Sequence, residues 1–97
     1  MQQFTLSQAA AWTGGTCTAD PVITSVVHDA RAAQPGSLFV AIQGDRFDGH
    51  DFIEQAVERS AAAVLTHRQQ EQYSIPALYV EDTRQALLDL AGGYRQQ

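Results

Sequence analysis

The sequence predicts a single small α/β domain, a sheet of mixed direction with about four to six short strands covered by two or three helices. Three observations carry this prediction. Short β-branched or apolar runs alternate with segments of helical apolar spacing. Glycine and proline punctuate the boundaries, at Gly14-Gly15, at Pro35-Gly36 and between Gly44 and Gly49. At 97 residues, 44% hydrophobic and 18% charged, the chain has enough apolar content for one core and too little length for a second domain.

Residues 4–6 read as a strand-like entry. Thr5 and Gln8 have the spacing of a capping box ahead of Ala9, Ala10, Ala11 and Trp12, which predicts a helix of about two turns. Gly14 and Gly15 can take the positive φ that ends it, and residues 16–18 follow as a second short strand. Pro21 imposes a turn or an extended start. Val22, Ile23, Thr24, Val26 and Val27 are β-branched and lose χ1 freedom in helices, so residues 22–27 are expected as one strand leading into His28, Asp29, Ala30 and Arg31. After the turn pair Pro35-Gly36, the apolar run Leu38-Phe39-Val40-Ala41-Ile42 has the character of a strand buried on both faces and is the expected central strand.

Residues 44–49, Gly-Asp-Arg-Phe-Asp-Gly, have loop composition, with Asp48 placed to cap a helix starting near Gly49 or His50. That helix should turn Phe52, Ile53, Ala56, Val57 and then Ala61 toward the sheet. Residues 62–66 are a strand, 68–74 a polar connection and 77–80 a further strand. Asp82 and Gln85 repeat the cap ahead of a final helix with Ala86, Leu87, Leu90, Ala91 and Tyr94 on one face. Gly92 and Gly93 should weaken its last turns by about 1 kcal/mol each relative to alanine.

Charge and composition narrow the function. Six basic residues against eleven acidic ones give a net charge of −5, so a nucleic-acid backbone is repelled and is not an expected partner. All six are arginines, which excludes any chemistry that needs a lysine of this chain. Cys17 is the one cysteine; it cannot form an internal disulfide, which favours a reducing compartment, and between threonines it reads as a packed residue rather than a nucleophile. No positively charged leader precedes an apolar stretch and no window approaches the roughly 18 apolar residues of a membrane span, so a cytoplasmic location without a membrane partner is expected.

Polar side chains that could bind a ligand concentrate in two segments, His28-Asp29-Ala30-Arg31 and Asp45-Arg46-Phe47-Asp48-Gly49-His50. Each stands where a strand ends, and in open α/β sheets ligands sit at the carboxyl ends of strands, so the segments meet if their strands are neighbours. Asp48, Asp51 and Glu54 put negative charge at the expected helix start, which disfavours a bare anion. Arg46 can fork onto an acid group and Phe47 offers a flat face, so this loop suits a neutral ring. Two plainer readings stand beside these: Asp29 and Arg31 pair with each other, and Phe47 belongs to the core. His28 and His50 lack metal-ligand spacing and no serine has a nucleophile context, so neither a metal site nor covalent catalysis is expected.

These segments carry a resemblance. Asp29-Ala30-Arg31, Pro35-Gly36-Ser37-Leu38-Phe39-Val40-Ala41 and Gly44-Asp45-Arg46-Phe47-Asp48-Gly49-His50-Asp51-Phe52 resemble the pattern of the Mur ligases of peptidoglycan synthesis. The pattern is an Asp-Ser/Thr-Arg triplet, a Pro-Gly turn, a Leu-Phe-Val-Ala strand, and Asp-Gly/Ala-His-Asp-Phe opening a helix. The likeness extends to Thr5-Leu6-Ser7-Gln8 and Val80-Glu81-Asp82-Thr83-Arg84, and is nearest to the branch that adds D-alanyl-D-alanine to UDP-N-acetylmuramoyl-tripeptide. It implies that residues 1–97 are the N-terminal domain, which holds the uridine end of the substrate. Carried over by position, the substrate-binding residues are Ala30, Arg31, Gly44, Asp45, Arg46, Phe47, Asp48, Gly49 and His50, with none catalytic. One departure stands out, because Ala30 replaces the family's serine or threonine and removes a hydroxyl.

The resemblance further implies a cytoplasmic, monomeric ligase of cell-wall biogenesis, serving cell shape and division. ATP and Mg2+ are used by a central domain with a Gly-Lys-Thr phosphate loop and a modified lysine, and D-alanyl-D-alanine binds a C-terminal domain. This lysine-free chain has neither lysine, so alone it is expected to be inactive and without a cofactor. Two alternatives stay open: the branch that adds the third amino acid, and a non-catalytic nucleotide-sugar or interaction module of the same fold.

Overall fold

The computed structural model describes residues 3–42, 52–67 and 73–95. In chain order these form β1 (Phe4–Thr5), α1 (Leu6–Thr13), β2 (Thr16–Cys17), β3 (Val22–Ile23), β4 (Ser25–Val27), a 3-10 turn (Ala30–Ala32), β5 (Ser37–Val40), α2 (Ile53–Glu58), β6 (Ala63–Thr66), β7 (Ala77–Tyr79) and α3 (Thr83–Arg95). Five strands make one sheet in the order β2-β7-β6-β5-β4, with β2 antiparallel to β7 and the other neighbours parallel. The described residues form the expected mixed sheet, with three α-helices where two or three were expected. No helix among the described residues is long and apolar enough to cross a membrane.

Strand alternation sorts the core into two layers, because successive side chains point to opposite faces. On one face Leu38, Val40, Ala63, Leu65, Leu78 and Val80 pack with Leu6 and Ala9 of α1 and with Ala86 and Leu90 of α3. On the other, Phe39, Ala41, Val64 and Ala77 pack with Ile53 and Ala56 of α2 and with Ala30 and Ala33. Covering both faces of the parallel strands is why β5 and β6 read as unbroken apolar runs rather than alternating ones.

Local signals are used as written at α1. Thr5 Oγ1 accepts from the Gln8 amide at 3.3 Å while Gln8 Oε1 accepts from the Thr5 amide at 2.8 Å, closing the capping box. Gly14, at φ 72°, ends the helix. Gly15 does a different job from the one expected, since its φ is not positive. A Cβ there would lie 2.9 Å from Leu78 Cδ1, so glycine lets β2 approach β7. At the far end of the domain Asp82 Oδ1 caps α3 by accepting from the Arg84 and Gln85 amides at 3.0 and 3.2 Å. The Gln85 side chain does not return to the cap and donates instead to Asp89 Oδ1 at 3.1 Å.

Three expectations are corrected, and one lies outside the described residues. Residues 22–27 are two strands in two sheets: β3 pairs antiparallel with β1, and β4 runs parallel to β5. The break is at Thr24, whose amide donates to Gly36 O at 2.9 Å and whose hydroxyl packs where a side chain at Gly36 would stand. β5 is interior but the middle strand is β6, a matter of long-range pairing that a four-residue apolar run does not encode. The described helix α2 starts at Ile53 with Phe52 at its cap and no side-chain cap bond; the start expected near Gly49 or His50 and the Asp48 cap lie outside the described residues. Finally, Phe52 and Ala91 are exposed instead of facing the core.

Candidate functional site

β4 and β5 are parallel neighbours, so the chain leaves both at the same end of the sheet. That meets the condition under which the two polar segments could share a site. Beyond Val27, Asp29 Oδ1 accepts from the Arg31 amide at 2.9 Å and so caps the 3-10 turn. The Arg31 guanidinium folds back onto the same carboxylate, Nε to Oδ1 at 3.1 Å and Nη2 to Oδ2 at 2.8 Å. These bonds hold the Asp29 carboxyl down to about 2, the Arg31 side-chain bonds first among the causes and the Arg31 amide next, and they raise Arg31 in turn. The ion pair read from the sequence is therefore present, in a forked geometry. It is open to water, with the Arg31 side chain 79% exposed.

Ala30, between them, is buried and packs against the α2 side of the core. Its methyl contributes to packing there.

Together these residues form one wall of a cavity of about 450 Å³. His28, Asp29, Ala30 and Arg31 line one side, Phe39 reaches it from the sheet, and Phe52 and Gln55 of α2 close the other. The cavity lies at the carboxyl end of β4, where open α/β sheets bind their ligands. Phe52 and Gln55 were not among the expected site residues. The sequence assigns Phe52 to the core-facing side of its helix and gives Gln55 no role; only the docking of α2 against residues 28–31 puts both beside a hollow. Of the expected site residues the structure brings Ala30 and Arg31 to the cavity. Gly44, Asp45, Arg46, Phe47, Asp48, Gly49 and His50 lie outside the described residues.

A smaller hollow of about 300 Å³ lies at the carboxyl end of β7, lined in part by Glu81, Asp82 and Asp89. Asp82 is engaged as the cap of α3 and Asp89 accepts from Gln85. Cys17 is half-buried at the edge of the sheet and packs on the core, as the sequence predicts.

Comparison with known proteins agrees with this picture. The profile described as Mur ligase family, catalytic domain, matches residues 22–95. Over 79 residues the chain is 46% identical to UDP-N-acetylmuramoyl-tripeptide--D-alanyl-D-alanine ligase of Escherichia coli, a match covering 81% of this chain and 17% of that protein. Over 86 residues it is 37% identical to UDP-N-acetylmuramoyl-L-alanyl-D-glutamate--2,6-diaminopimelate ligase of Listeria innocua, covering 89% of this chain and again 17% of the relative. A crystal structure of MurF from Acinetobacter baumannii superposes on all of this chain with a TM-score of 0.91 and 31% identity, using 22% of that structure. The chain therefore spans about a sixth of the length of the curated relatives, at 17%. With a profile match that begins at β3 and runs into the last turn of α3, and with the fold of a solved MurF along its whole length, this chain belongs to the Mur ligase family.

Proposed function

We propose that this domain binds the uridine end of UDP-N-acetylmuramoyl-tripeptide for a ligase that adds D-alanyl-D-alanine in peptidoglycan precursor synthesis. The observation that carries the reading is the cavity at the end of β4, where the triplet Asp29-Ala30-Arg31 faces Phe52 and Gln55. Its charge balance supports a neutral ligand group: Arg31 is already forked onto Asp29, so the wall offers little uncompensated positive charge to a diphosphate. The relatives' names supply the substrate class, since the E. coli and L. innocua proteins are both named for UDP-N-acetylmuramoyl substrates.

This chain has no lysine of the kind a Gly-Lys-Thr phosphate loop uses. Nucleotide activation and D-alanyl-D-alanine binding therefore belong, in this proposal, to other parts of the whole protein, a cytoplasmic monomer. The 97-residue chain alone is without ligase activity.

Calorimetric titration of the whole protein with UDP-N-acetylmuramoyl-tripeptide tests the reading; binding that is lost on Arg46→Ala supports it, and no binding overturns it in favour of an interaction module, for which Ala30 is the motive. A second reading, a ligase adding the third amino acid, is favoured by relatives named for 2,6-diaminopimelate at 36% to 44% identity. Product formation from D-alanyl-D-alanine, against meso-diaminopimelate or L-lysine, separates the two.

A further inference from the structure

We draw no further inference here: the strongest candidate, the acidic hollow of about 300 Å³ at the carboxyl end of β7 lined in part by Glu81, Asp82 and Asp89, carries nothing, because Asp82 is engaged as the cap of α3, Asp89 accepts from Gln85, and no second observation points to a ligand there.

Discussion

The indole of Trp12 on α1 fills the space that a side chain at Gly93 on α3 would need, and the same ring packs against Phe4 with centroids 5.2 Å apart and planes tilted by 52°. Gly93 is thus a packing requirement between two helices, where local propensity alone marks it as a weak point.

The two neighbouring glycines of α3 should therefore respond in opposite directions to alanine. Nothing stands within 4 Å of a Cβ built at Gly92, so Gly92→Ala should stabilise the domain by about 0.5 to 1 kcal/mol through helix propensity. Gly93→Ala must displace Trp12 and should destabilise by about 1 to 3 kcal/mol. Urea unfolding of the two variants measures the sign directly. Equal effects would mean that the α1–α3 contact adjusts freely.

Gly36→Ala should be among the most damaging single changes. Gly36 has φ +91° and faces the Thr24 hydroxyl, so an added methyl meets backbone strain and a steric clash together. A loss of about 2 kcal/mol or more is expected, read as a lowered midpoint in denaturant. Adding Thr24→Ala to Gly36→Ala should recover the steric part and leave the strain.

Acid should remove stability over a defined window. Asp29 is lowered to about 2 by its bonds from Arg31, and Asp20 is lowered because its carboxylate accepts from the Ser7 amide at 2.8 Å. Both groups ionise more easily folded than unfolded, so their contribution is fully present above the unfolded value of 3.8 and is lost as pH falls through the folded value. Unfolding midpoints should hold steady down to about pH 4 and decline toward pH 2, and Asp29→Asn should flatten part of that decline. A decline confined to pH 5 to 7 would assign the effect to histidines instead.

Uridine and UDP should bind the isolated domain with similar affinity. Arg31 is forked onto Asp29, so little positive charge within the described cavity waits for a diphosphate. Titration of both ligands decides the matter. A hundredfold preference for UDP would require a phosphate site in this domain and would overturn the division of roles proposed for it.

Local signals carried far in this protein. The Thr5 and Gln8 capping box, the positive φ at Gly14, the Asp82 cap and the apolar runs at β5, β6 and β7 each depend on residues within a few positions, and each is present. The Asp29 and Arg31 pair, two residues apart, was legible for the same reason. The motif around residues 29–52 likewise identified the family, because it is a property of order along the chain.

What the sequence left open depends on partners far away in it. A β-branched run could not show that Thr24 would turn against Gly36 and divide residues 22–27 between two sheets, since that bond joins positions twelve apart. Four buried residues look alike in β5 and β6, and only the pairing with β7 on one side and β5 on the other puts β6 in the middle. Whether Phe52 faces core or cavity was settled by how α2 docks beside the 3-10 turn, and whether Gly93 weakens or permits a helix by where Trp12 lies. Propensity and periodicity act over a few residues, whereas sheet order, close approach and the shape of a hollow arise when segments remote in sequence exclude one another's volume.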